Sequence, residues 1–563
     1  MKTIRTLALV VAVMLMLTML AACGTATTPT TQAPTAAAAV SASAAPEATG
    51  TPEPAIDTSK VIKISMTSSG TFPVDPDAKY LKIMEDKYHL DLDIWQCYGD
   101  EYVNQVNAKI AGGEVADIFY MGGGLSVPDY VDQGIIIEMP EAFIQKNMPK
   151  YYADLYSVSQ DPFKYCRLNG KNYGIPGTSA DGFYHFTVIW RNDWLKTVGI
   201  SKTPETIAEF EEAFYKFAKN DPDGNGKADT YGLSNLGMIP VFGAFGCIPY
   251  NNTPDALGEY LTLKDGKIVS AATQPEMKEA LKLLAKWYKD GVIDPEFVTG
   301  ERKEGHWSSS QAFCGGRIGY TSCGQYYNTA SGEERGGADG RVYKMFHETQ
   351  ASMGNANATY VHGRPPVGPG GMSGAIKWGV EEGVSFAFGK PLENDTEKQL
   401  RIAMWFDDLW MTQDNYMSAI YGTKGEDWTQ DPATGALQVG LGPDTKDAFA
   451  NDESTKIGLG FMFLPDIFSA MKKETPTAYT FADKVANYPG CGYVNPVGGA
   501  PLKSLAEHAV DLAKITLTDY YDMISGKKDV DSFFDQYVQE WMDAGGSEVI
   551  QEANEWWTAN GAK

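Results

Sequence analysis

Histidine and cysteine are scarce in this chain, six and seven in 563 residues. The histidines (His89, His185, His306, His347, His362 and His508) form no HExxH pair, so a zinc hydrolase lacks its ligands. No CxxC occurs. A Gly-x4-Gly-Lys-Ser/Thr loop is missing, which excludes a P-loop ATPase. Gly371-Met372-Ser373-Gly374-Ala375 falls short of a nucleophile elbow because its last position is Ala. The acid pairs Glu381-Glu382 and Asp407-Asp408 are adjacent in sequence, whereas a glycosidase needs two carboxyls facing one bond. Basic residues are outnumbered 47 to 72, for a formal charge of -25. Such a surface repels phosphate backbones and argues against nucleic acid as a partner. After residue 22 no stretch approaches 18 uninterrupted apolar residues, so no later helix is expected to span a membrane.

What is present is apolar and aromatic: 43% hydrophobic residues, with 30 Tyr, 24 Phe and 12 Trp. That is enough to bury large cores, and the length suits two to four domains. The first 22 residues have the layout of an export signal: Lys2 and Arg5, the apolar run Leu7–Leu20, then Ala21 and Ala22. Their removal takes Lys2 and Arg5 with them and moves the formal charge from -25 to -27. Leu20-Ala21-Ala22-Cys23 resembles a bacterial lipobox, which implies acylation of Cys23, palmitate included, and an acyl anchor in place of a helix. Residues 23–58, rich in Thr, Ala, Pro and Ser, are read as a disordered tether with a reach of roughly 30 Å. The alternative is an ordinary secretory signal that happens to contain Cys.

The remaining body alternates strand and helix patterns. Val61–Met66 and Leu92–Trp95 look like strands, and Asp77–His89 between them like a helix with Tyr80, Ile83, Met84 and Tyr88 on one face. Tyr102–Ala111 reads as a helix leading to the short apolar strand Asp117–Met121, and Phe183–Trp190 as a further strand. Thr203-Pro204-Glu205 reads as a helix start, followed by Ile207, Phe210, Phe214 and Phe217 at core-face spacing. Met277, Leu281, Leu284 and Tyr288, and later Phe534, Val538 and Trp541, repeat that spacing. The alternation predicts an α/β fold.

Seven pieces, in order, carry a family resemblance: AGGEVADIFYM, GKNYGIP, IWRNDWLKTVGISKTPETIAEF, NDPDGNGKADTYGL, YKDGVIDPEF, YGTKGEDW and KDVDSFFDQYVQEWMDAGGSEVIQEANEWW. Together, behind a lipobox and tether, the chain resembles the bacterial extracellular solute-binding proteins of ABC transporters, in the large lipoprotein branch associated with oligosaccharide uptake. The resemblance implies a two-lobe periplasmic-binding-protein-like fold of class II, with two or three hinge crossings and a ligand cleft between the lobes. On that layout lobe 1 comprises 59–176 and 364–420, and lobe 2 comprises 177–363 and 421–563. It further implies a monomer outside the cytoplasm, without enzymatic activity, that binds a carbohydrate and works with a permease and a separate ATPase. Two rival expectations stand beside it: a surface-anchored glycoside hydrolase or lyase, and an adhesin or sensor without transport. The loop 422–428 departs from the Gly-x-Glu-Gly pattern of relatives, and the Gly/Pro-rich stretch 363–378 has no derivable conformation.

Two sets of site residues follow. Asp221, Asp223, Asn225 and Asp229 put oxygens at positions 1, 3, 5 and 9 of a loop with Gly226 at position 6, and the Lys227 carbonyl adds another. This matches the oxygen shell of structural Ca²⁺, although position 12 is Gly232 and not Glu; a plain Asp/Gly turn is the alternative. Sugars offer flat apolar faces and many hydroxyls, so aromatics outside helical faces are platform candidates: Trp95, Tyr184, Trp307, Tyr326, Trp378 and Trp428. Asp100, Asp181, Arg191 and Gln325 are the polar candidates. Each aromatic is equally readable as core, and Arg191 as an ion pair with Asp193. Six cysteines remain after Cys23, as buried thiols or bridges, with Cys314 and Cys323 the nearest pair.

Overall fold

A computed structural model describes residues 57–561 except 69–71, 98–100, 179–185, 251–259, 300, 302–309, 324–325, 336–338, 378, 433–436, 452, 463–484 and 486–489. Ten strands organise this body: β1 (Ile62–Thr67), β2 (Leu90–Trp95), β3 (Ile118–Tyr120), β4 (Ile175–Thr178), β5 (Val188–Arg191), β6 (Tyr320–Ser322), β7 (Tyr360–Gly363), β8 (Ala375–Ile376), β9 (Glu381–Phe388) and β10 (Gly492–Tyr493). The first sheet has the order β2-β1-β3-β9-β4, with β1, β2 and β3 parallel and β9 antiparallel to both neighbours. A second, antiparallel sheet runs β6-β5-β7, and β8 pairs with β10 in parallel.

Each sheet carries its own core. Ile64, Met66, Phe119, Tyr151, Ile175, Phe386, Phe406, Trp410 and Phe461 pack in the first. Trp190, Trp194, Phe210, Phe214, Phe217, Phe242, Trp287, Tyr520 and Trp541 pack in the second. The chain passes between cores three times, after β4, after β8 and between residues 462 and 490. The lobe boundaries therefore differ from those expected. Residues 364–376 stay with the second core: Ile376 is part of it, and Val367 bonds to Glu205 and Ile207 through the backbone. Residues 421–462 stay with the first, through Trp428, Leu437, Phe461 and Met462. The Gly/Pro-rich segment punctuates the chain without crossing. Its glycines permit close approach: a Cβ on Gly374 would meet the Tyr493 ring at 2.2 Å, and one on Gly368 the Ala244 carbonyl oxygen at 1.8 Å, while across the contact a Cβ on Gly243 would meet the Gly374 carbonyl oxygen at 2.1 Å.

Local sequence signals explain most helices. The expected start at Thr203 moves to Ile207, because Thr206 and Glu209 form a reciprocal capping box and the helix runs Ile207–Lys219. Ile207, Phe210, Phe214 and Phe217 bury as their spacing predicts. In Pro275–Lys289 the buried face is Met277, Ala280, Leu281, Leu284 and Trp287, one position off Tyr288. Along Lys79–Tyr88, Tyr80 and Met84 bury but Ile83 does not; it lines a surface groove of about 190 Å³ with Tyr88, Leu409 and Leu459. All six described cysteines are free thiols.

The first described residues are fastened by a buried guanidinium. Arg401, on the helix Thr396–Met411, donates from Nη1 to the carbonyls of Asp57 and Lys60, both 3.0 Å, and from Nη2 to those of Tyr88 and His89, at 3.1 and 3.2 Å. It thereby satisfies helix-end carbonyls and pins the entry to β1 in one contact. Arg401→Ala is expected to lower the unfolding free energy by about 3 kcal/mol, read from the urea midpoint, and Arg401→Lys to recover only part of it, since an ammonium cannot fork across four acceptors.

Candidate functional site

In open α/β sheets ligands gather outside the carboxyl ends of parallel strands. In the first lobe those ends are Thr67, Trp95 and Tyr120, and the crossings after β4 and before β9 leave from the same edge, where Thr178 pairs with Glu381. Four of the expected ligand residues lie in the described structure. All are at most 5% exposed. Trp95 ends β2 and packs edge-on against Phe119, with the Lys109 ammonium 4.9 Å from its ring centre. Trp428 sits in the first core and donates its Nε1–H to the Gly422 carbonyl at 2.9 Å. Arg191 ends β5, donates from Nε and Nη2 to Asp193 at 2.9 and 2.6 Å, and is sandwiched between Trp194 and Phe346. Tyr326 opens the short helix Tyr326–Thr329 and is buried. The structure brings Arg191 and Tyr326 into the second lobe and Trp95 and Trp428 into the first, each held by its own neighbours. Asp100, Asp181, Tyr184, Trp307, Gln325, Trp378 and Cys23 lie outside the described residues.

The acid of the 422–428 loop is a hub of the first lobe. Asp427 accepts from the Tyr80 hydroxyl at 2.7 Å, from the Thr423 N–H at 2.7 Å and from the Thr445 hydroxyl at 3.3 Å. In the second lobe the buried Glu301 accepts from Leu236 N–H, Ser310 and Thr321 at the start of the helix Asn235–Gly243. Burial pushes its carboxyl above the usual range, against these donors. Sequence reasoning missed both acids, because their partners are distant in the chain.

The loop 221–229 follows the capped helix Ile207–Lys219 and turns through Gly224 and Gly226, both at positive φ. Asn225 Nδ2 donates to Asp223 Oδ2 at 2.8 Å and Asp229 Oδ1 at 3.2 Å, while Asp221 receives the Asn225 and Gly226 N–H groups at 3.1 and 2.9 Å. Backbone donors, Gly226 first, hold the Asp221 carboxyl below its ordinary value; desolvation first, and Asp221 next, push Asp223 up. Two carboxylates thus share the Asn225 side-chain amide while the third takes backbone N–H groups of the same turn, an oxygen donor set whose chemistry suits a hard cation. Among the described residues, no group of three or more His, Cys, Asp or Glu stands in a metal-holding arrangement.

Residues 89–299 match the family model for bacterial extracellular solute-binding protein. Over 156 residues the chain is 33% identical to Lipoprotein LipO of Bacillus subtilis, covering 26% of this chain and 29% of that one. Over 261 residues it is 27% identical to the fructooligosaccharide ABC transporter substrate-binding protein FusA of Streptococcus pneumoniae, covering 43% and 46%. A 25% identity extends over 494 residues of the polygalacturonan/rhamnogalacturonan-binding protein YtcQ of Bacillus subtilis, 85% of this chain and 88% of that one. The matches thus span less than half the length of LipO and of FusA, but most of YtcQ. A solved structure of an EF-hand mutant of Streptococcus pneumoniae FusA in complex with fructo-nystose superposes with a TM-score of 0.63 at 19% identity, over 90% of this chain and all of that one. The fold is that of two-lobe solute-binding proteins. The match to the bacterial extracellular solute-binding protein family is carried by residues 89–299 of this chain.

The helix leading into the 221–229 loop is stabilised by Glu209, whose carboxyl is held down to about 2, first by Lys202 and then by the Glu205 and Thr206 N–H groups. A depressed value means the contribution is present above the ordinary 4.5 and lost as pH falls toward about 2. Glu209→Ala is expected to cost about 1 kcal/mol at pH 7 and to converge with the parent protein through that window, followed by urea midpoints at stepped pH.

Proposed function

We propose that the chain is the substrate-binding protein of an ABC importer, capturing an oligosaccharide between its lobes and passing it to a permease driven by a separate ATPase. The observation that carries this reading is the pair of separate cores joined by three crossings, two of which meet at the carboxyl edge of the first sheet's parallel strands. Such a body can close on a ligand by rotation about the crossings, and closure is favoured only to the extent that the closed arrangement makes contacts the open one lacks. The names of FusA and YtcQ, which specify oligosaccharide or polysaccharide ligands, support the substrate class. On this reading the protein works outside the cytoplasm, Cys23 bears the acyl anchor, residues 23–58 form the tether, and no bond in the ligand is broken. Titration calorimetry against a glycan panel, with product analysis, tests it. Stoichiometric binding without turnover, and loss of import on deletion, are expected; accumulating cleavage products would overturn the reading.

Calcium belongs to the same proposal. Side-chain oxygens of Asp221, Asp223, Asn225 and Asp229, with the Lys227 carbonyl, would hold Ca²⁺, supplying charge that the three carboxylates otherwise lack. Its role is to pin the loop after the helix Ile207–Lys219. A chelator is expected to lower the melting temperature by about 3 °C or more, and Asp223→Ala to abolish that response. An unchanged melting curve on chelation counts against the site.

A further inference from the structure

Four rings line up on the second lobe at the margin of its buried cluster around Phe313 and Phe346. Tyr343 and His347 stand one turn apart on the helix Arg341–Ser352, and Tyr360 and His362 alternate along β7, the edge strand of the second sheet. Ring centres are 4.3 Å apart for Tyr343 and His347, 6.1 Å for His347 and Tyr360 with planes 26° apart, and 5.8 Å for Tyr360 and His362. All four are half-buried, backed by Phe346 and Phe313, which are fully buried. The strip is rigid. Tyr360 donates its hydroxyl to the Thr329 carbonyl at 2.5 Å, and His362 Nε2 lies 3.0 Å from the Thr329 hydroxyl.

Two carboxylates stand at its rim. Asp339 spends one oxygen on the Gly332 N–H and Glu334 one on Ser331, and both act on Tyr343, whose hydroxyl burial and then these charges raise. Desolvation lowers the His347 imidazole below its ordinary value, against the raising effect of Asp339. Flat rings with carboxylate acceptors beside them match a saccharide, which offers C–H faces and hydroxyl donors; a uronate would meet repulsion from those carboxylates. The strip also adjoins the region expected to face the ligand, since Thr329 closes the short helix that Tyr326 opens.

We infer that Tyr343, His347, Tyr360 and His362 form an accessory subsite that takes an outer ring of an uncharged oligosaccharide. The inference rests on the oligosaccharide-receptor reading and extends it to chain length and charge. Its test is calorimetry with neutral oligosaccharides of increasing length, from the fructo-, manno-, xylo- and gluco-series, on the full chain. The parent protein is expected to bind longer members more tightly, and Tyr343→Ala or His347→Ala to lose about five- to tenfold of that gain while binding the shortest ligand unchanged. Tyr343→Phe, which keeps the ring, retains the gain, and melting temperatures show that the variants fold. A length gain that survives both alanine variants overturns the subsite, as does its absence in the parent protein; a strip that instead docks a protein would give the first of these results. No binding of any member by the parent protein overturns the receptor reading itself.

Discussion

The first lobe depends on one strand that arrives late. β9 lies between β3 and β4, pairing Phe386 with Tyr120 on one side and Val384 with Pro176 on the other, so without it β4 has no partner in the sheet. The backbone donors and acceptors of a buried strand must be matched, which makes this return obligatory rather than incidental. Its antiparallel direction follows from the route: the chain re-enters at the edge from which it left. The same requirement places the start of β9 beside the end of β4 and gathers two of the three crossings together. The hinge is therefore a by-product of completing a sheet.

Electrostatics inside the lobes follows a consistent rule. Lys398 reaches Asp117, which also receives the Ser65 backbone and hydroxyl, so one ion pair joins β1, the start of β3 and the helix Thr396–Met411. Arg167 holds Asp161 and Glu141, Arg317 holds Asp294 and Glu296, and Arg191 holds Asp193. These cations are committed to architecture. The acid surplus is left mainly on the surface, where water solvates it at little cost.

Local patterns were readable from sequence and long-range ones were not. The strand Ile118–Tyr120 and the buried face of the helix Ile207–Lys219 are encoded locally, and both appear where periodicity puts them. The assignment of 421–462 to a lobe depends on contacts such as Tyr80 with Asp427, which are 347 residues apart. No composition or punctuation signal reports such a pairing. The four-ring strip escaped for the same reason: two of its members follow helical spacing and two follow strand spacing, and only the packing of that helix on that strand makes them one surface.

The Arg401 contact has a mechanical side. Any pull transmitted along residues 1–56 arrives at Asp57 and Lys60, whose carbonyls are gripped by a guanidinium rooted in the middle of the first lobe. Beyond it the strain would fall on β1, a strand paired in parallel from Ile62 through Thr67 with β2, so its bonds are stressed together in shear and not peeled one by one. On the proposed tether reading, tension falls on one lobe alone, and the other is left to move about the crossings while its partner is held, as a door moves on a frame that is bolted to the wall.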